Sequence, residues 1–84
     1  MMKFVELSEQ ERKAVKEALE YIGYLDVAES PEMLQEWLDD ETISICTCRS
    51  GRTAVWIITE SHESAVYIDT LESLSQEEIT KEFL

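Results

Sequence analysis

Basic residues are scarce: seven Lys and Arg stand against nineteen Asp and Glu, for a formal net charge of −12. A field of that sign disfavours direct binding to DNA, RNA or an anionic membrane and favours encounter with a basic partner. Glycine is rarer still. With only Gly23 and Gly51 present, no glycine-rich loop can cradle a phosphate or dinucleotide. Pro31 is the single proline, and no linker or low-complexity tract marks a second domain. His62 is the single histidine; with Cys46 and Cys48 it offers three zinc-capable side chains, but not the paired spacing of a structural zinc site. Cys46 and Cys48 alternate with Thr47, so on a strand they share a face, where a disulfide between them would be strained. Two free thiols fit a reducing, cytoplasmic compartment. No apolar run is long enough to span a bilayer, and Met1–Glu6 turns acidic too early for a secretory signal.

Ser61 or Ser64 beside His62 could suggest a nucleophile and base, but no nucleophile elbow or oxyanion loop accompanies them. Asp39 and Asp40 could serve as an acid–base pair, yet adjacent carboxylates at a helix end more often solvate. The expectation is a protein that is not an enzyme and carries no cofactor or metal.

What the chain does have is punctuation. An apolar fraction of 44% over 84 residues supports one small domain with a thin core. Ser8-Glu9-Gln10-Glu11 reads as a capping box, and Val15, Ala18, Leu19 and Ile22 mark the buried stripe of a helix that Gly23 stops. Tyr24–Ala28 alternates and contains aromatic and β-branched residues, which predicts a short strand or an extended crossing. Ser30 and Pro31 open a second helix as cap and first residue. Period-two patterning over 42–49, 52–60 and 64–70 predicts an antiparallel meander with turns at Ser50-Gly51 and Ser61–Glu63. Ser75-Gln76-Glu77-Glu78 is a second capping box, before a short helix holding Ile79 and Phe83. The fold expected is α+β: two N-terminal helices packed on an antiparallel β-meander, with a short C-terminal helix. One sheet face carries Ile43, Ile45, Val55, Ile57, Val66 and Ile68. The other carries Cys46, Cys48, Ala54, Ile58 and Ala65, with Trp56 or Tyr67 available to a partner.

Charge is segregated along this order. Residues 1–28 contribute −2, residues 29–41 contribute −6, residues 42–59 contribute +2 and residues 60–84 contribute −6. The densest segment is Glu29–Glu41. Met33, Leu34, Trp37 and Leu38 follow the spacing of one apolar helix face, while Glu32, Glu36, Asp39 and Asp40 lie beside or opposite it. Apolar anchors and negative charge thus occur on one short helix, which suits a protein that occupies a surface built for a phosphate backbone and equally an ordinary acidic amphipathic helix.

At Glu29-Ser30 the sequence resembles the phage and staphylococcal uracil-DNA glycosylase inhibitors, which look like duplex DNA to the repair enzyme. The similarity extends to the acidic-apolar Glu32–Glu36 segment, to strands Val55–Ser61 and Ala65–Thr70, and to the order of elements. The resemblance implies that Glu29 and Ser30 engage the groove that normally holds phosphates. It also implies an apolar pocket for a protruding leucine of the enzyme, formed by Met33, Leu34, Trp37, Leu38 and a strand residue such as Ile45 or Ile58. Pro31 directly follows the pair where the best-known relative continues a strand, and three meander strands are expected here where that relative has four. An anti-CRISPR or antirestriction DNA mimic would use the same charge without the pocket. So would an antitoxin or immunity protein that plugs a basic nuclease; a small acidic regulatory domain needs no mimicry at all.

Overall fold

The computed structural model describes residues 3–84; Met1 and Met2, the start of the Met1–Glu6 stretch, lie outside the described residues. A single 3-10 turn at Phe4–Glu6 precedes helix α1, Glu9–Tyr21. The Ser8 hydroxyl accepts from the Glu11 amide at 3.1 Å and the Glu11 carboxylate accepts from the Ser8 amide at 2.8 Å, a complete capping box. Gly23, at φ +81°, turns the chain after α1. The next segment departs from expectation. Tyr24–Ala28 is not a strand: Leu25–Ala28 forms a one-turn helix, α2, closed by Ala28 N–H donating to the Tyr24 carbonyl at 3.1 Å. Val27 and Ala28 are both buried although adjacent, which a helix turn against a core allows and an alternating strand does not. Helix α3, Pro31–Asp39, follows with Ser30 as its cap, and α4, Gln76–Phe83, opens on the second capping box.

Strands β1 (Ile43–Thr47), β2 (Thr53–Ile58) and β3 (Glu63–Tyr67) form an antiparallel sheet in the order β1-β2-β3. Ile45 pairs with Val55 and Val55 with Val66, so the predicted faces do align across the meander. The first hairpin turns through Arg49-Ser50-Gly51, where Gly51 takes φ +92° and Cys48 N–H reaches the Arg52 carbonyl at 2.7 Å. The second is held by the Thr59 hydroxyl, which accepts from the His62 amide at 2.9 Å.

The two sheet edges differ. Along β3, the 72–74 segment acts as a cover: Tyr67 N–H donates to the Glu72 carbonyl at 2.9 Å and Leu74 N–H to the Ala65 carbonyl at 2.9 Å. Along β1, Ile58 N–H donates to the Thr42 carbonyl at 3.1 Å. This fixes the even-numbered residues of β1 as those bonded to β2. The backbone groups of Ile43, Ile45 and Thr47 therefore face the open edge.

Both sheet faces are covered. On one, Ile43, Val55, Ile57 and Val66 pack under Val15, Ala18 and Leu19 of α1, Val27 and Ala28 of α2, and Leu34 and Leu38 of α3. On the other, Ala54, Ala65 and Tyr67 form a smaller core with Leu74 and Ile79. Trp56 and Tyr67 are thus not free for a partner. Trp56 stacks on Phe83 of α4 with ring centroids 4.5 Å apart, and Tyr67 is 7% exposed beneath the Arg52 guanidinium, 3.5 Å above its ring. An eight-residue helix has little stability of its own, so the cap, this stack and Ile79 hold α4 in place. Glu82 completes the attachment. Its carboxylate accepts from the Ser50 hydroxyl at 2.8 Å and amide at 3.1 Å, and from the Tyr67 hydroxyl at 2.8 Å.

Candidate partner-binding surface

α3 exists because its first turn is satisfied locally and its inner face is apolar. The Ser30 hydroxyl accepts from the Met33 amide at 3.2 Å, and Pro31 at the first position has no amide to satisfy. Leu34 and Leu38 are 1% and 7% exposed, so they belong to the core and cannot grip a partner's side chain. Met33, 38% exposed, and half-buried Trp37 are the apolar residues of α3 that reach the surface. The two strand candidates separate. Ile45 packs partly against the main core, whereas Ile58, 47% exposed, lies on the opposite sheet face. No single pocket can use both.

The carboxylates remain outside. Glu29, Glu32, Glu36, Asp39, Asp40 and Glu41 are all exposed. Between Lys16 and Arg49 the chain holds nine acidic residues and no Lys or Arg. Among the described residues the ion pairs are Lys13–Glu9 at 3.7 Å and Arg52–Asp69 at 2.9 Å, and neither neutralises this segment. Asp39 accepts from the Gln35 amide group at 2.9 Å, while the Gln35 side-chain oxygen accepts from the Phe4 amide at 2.8 Å and ties α3 to the 3-10 turn. The Thr42 hydroxyl, then its amide at 3.0 Å, hold the Asp40 carboxyl below the usual carboxylate range. Asp40 is therefore the carboxylate of this segment whose charged form the fold favours.

Glu29 and Ser30 do not sit on a strand. Glu29 ends α2 in the helical region, at φ −98° and ψ −2°, and Ser30 begins α3. The expected strand end is a joint between two helices. The Ser30 oxygen is engaged as an acceptor in the cap, which leaves its hydroxyl hydrogen to donate outward.

Where α3 ends, the chain forms a cleft of about 350 Å³ lined by Tyr24, Trp37, Thr42, Thr59, Glu60 and Ser61. Tyr24 and Trp37 meet edge to face with centroids 5.2 Å apart, and His62 approaches the Tyr24 ring at 6.1 Å and 88°. The Ser61 hydroxyl and His62 Nδ1 are 2.8 Å apart, a contact between neighbours within an exposed turn. A second hollow of about 290 Å³ is lined by Glu17, Glu20 and Tyr21. Among the described residues, no three of His, Cys, Asp and Glu gather as a metal site, and Cys46 and Cys48 are free thiols. No described helix is long and apolar enough to cross a membrane.

No family model, curated protein or solved structure matches the chain. Of the residues expected to bind, Trp37 lines the cleft, whereas Leu34 and Leu38 are structural. Tyr24, Thr42, Glu60 and Ser61 were not foreseen as site residues. They come from three separate segments, and only the aromatic Tyr24 close to an acidic run hinted at them.

Proposed function

We propose that the protein is a non-catalytic inhibitor whose acidic α3 surface substitutes for a phosphate backbone in the basic groove of a DNA-binding enzyme. Uracil-DNA glycosylase, the target implied by the sequence resemblance, is the first to test. The observation that carries this reading is the run of exposed, unneutralised carboxylates from Glu20 to Glu41, set on helices whose inner faces are fixed in the core. A phosphate-reading groove presents cations at short intervals, and rigid carboxylates meet it without the ordering cost of a flexible tail. On this reading Glu29, Glu32, Glu36, Asp39 and Asp40 face the cations, Ser30 donates its hydroxyl hydrogen, and Met33 and Trp37 add apolar contact. Nucleic acid itself is not bound, a membrane is not engaged, and the site of action is the bacterial cytoplasm.

The test is a titration of bacterial uracil-DNA glycosylase acting on a labelled uracil-containing duplex. Uracil release should cease near one inhibitor per enzyme; undiminished release at large excess removes that target. The helix joint at Glu29-Ser30 favours a second reading in which the same charge blocks a different basic enzyme. A CRISPR effector or restriction enzyme would fit, as would a toxin nuclease, and none of these needs the pair on a strand. Affinity capture from bacterial lysate separates these, by which of the enzymes is retained.

A further inference from the structure

The cleft at the end of α3 differs in chemistry from the acidic helix beside it. Two aromatic side chains, Tyr24 and Trp37, line it together with three hydroxyl residues and one carboxylate, Glu60. Glu60 is exposed and has no hydrogen bond or ion pair among the described residues. Asp40 and Glu41 directly precede the lining residue Thr42, whose amide donates to the Asp40 carboxylate at 3.0 Å. Negative charge therefore gathers beside aromatic surface that is partly exposed. The sheet's own cations are elsewhere: Arg49 and Arg52 lie at the opposite end of the β1–β2 hairpin, and Arg52 is committed to Asp69 and the Tyr67 ring.

We propose that this cleft receives an arginine side chain of the basic partner. The identity rests on the pairing of groups. A guanidinium is flat, weakly hydrated and forked, so it stacks on an aromatic ring while donating two parallel hydrogen bonds to one carboxylate. A lysine ammonium is compact and strongly hydrated and gains less from the same walls. A neutral apolar side chain would leave Glu60 facing it unpaired, at a desolvation cost. The volume accommodates a guanidinium and its stem. This inference deepens the inhibitor reading and rests on its basic partner, but it assigns a separate contact that need not use the α3 carboxylates.

The probes are triarginine amide and trilysine amide, titrated into the ¹⁵N-labelled protein. Triarginine should move the Trp37 indole N–H and the Glu60 and Ser61 amides. The Trp56 indole, stacked under α4, should stay still. Triarginine should bind about three- to fivefold more tightly than trilysine, and Glu60→Gln should weaken it by about the same factor, the scale of one exposed charge contact. Glu60→Gln should melt with the parent protein, because its carboxylate holds nothing in the fold. Tyr24→Leu should abolish the cleft shifts, with its melting point recorded to separate lost contact from lost packing. Shifts confined to the outer face of α3, with equal affinity for the two peptides, would overturn the cleft assignment while leaving the inhibitor reading intact. No shift anywhere would overturn both. Cleft shifts together with a fully active glycosylase at inhibitor excess would support the cleft and remove only that target.

Discussion

Glu41 stands at φ +64°, just past the end of α3, where glycine is the usual occupant. A side chain in this left-handed region crowds its own backbone at a cost of roughly 1 kcal/mol. Glu41→Gly should raise the unfolding free energy by about 0.5–1 kcal/mol in urea titration. If the carboxylate serves binding, the same variant associates more slowly with its target. Glu29 gives the complementary case. It is exposed and its side chain makes no hydrogen bond among the described residues, so Glu29→Ala should unfold within about 0.5 kcal/mol of the parent. Against an identified target it should lose about 2–5 kcal/mol of affinity if the carboxylate lies against groove cations. Leu34→Ala reports something else. Emptying a site that is 1% exposed should cost about 2–5 kcal/mol of stability, so weak binding by that variant says nothing about contact.

At the scale of elements, α4 is a strap whose fastening titrates at both ends of the pH range. The Ser50 hydroxyl, then the Tyr67 hydroxyl, hold the Glu82 carboxyl below its ordinary 4.5. Its stabilising contribution is complete above that value and is lost as pH falls through the lowered one. Burial, then the hydrogen bond to Glu82, push the Tyr67 hydroxyl from 10.0 up to about 12. That contribution is complete below 10 and fades as pH rises toward 12. Amide exchange should therefore find α4 loosening ahead of α1 in acid and again in alkali. Glu82→Gln should remove most of the acid response and Tyr67→Phe the alkaline one. Which elements could be read from sequence follows from how local their causes are. Ser8-Glu11, Ser75-Glu78 and Ser30-Pro31 carry their caps within four residues, and each helix begins where expected. Period-two patterning located all three strands because both faces are packed. Tyr24–Ala28 misled because one helical turn is too short to display its own period, and the core that buries Val27 and Ala28 comes from distant chain. The cleft was invisible for the same reason: Tyr24, Trp37, Thr42 and Glu60 are neighbours only after α3 docks beside the second hairpin.

On the proposed inhibitor reading, the whole molecule acts through its field before any contact forms. A net charge of −12 should steer a basic partner toward it, so association slows as salt shortens the screening length, to about 8 Å at physiological ionic strength. Asp39→Asn combined with Asp40→Asn should lower the on-rate in stopped-flow mixing more than it raises the off-rate, since both are exposed. The same charge has a second duty, set by the open β1 edge. Ile43–Thr47 contains no charged residue and no proline, and its pairing with β2 runs without a bulge. Edge strands ordinarily carry such local guards against pairing with another chain. Here colloidal repulsion between whole molecules takes their place, and it vanishes as pH approaches the isoelectric point near 4.2. Light scattering should rise steeply around that pH, with infrared bands of intermolecular sheet. Thr47→Lys, which puts one cation on the edge, should keep the solution clear. The protein's shelf life in acid is thus written in a strand that has no charge of its own.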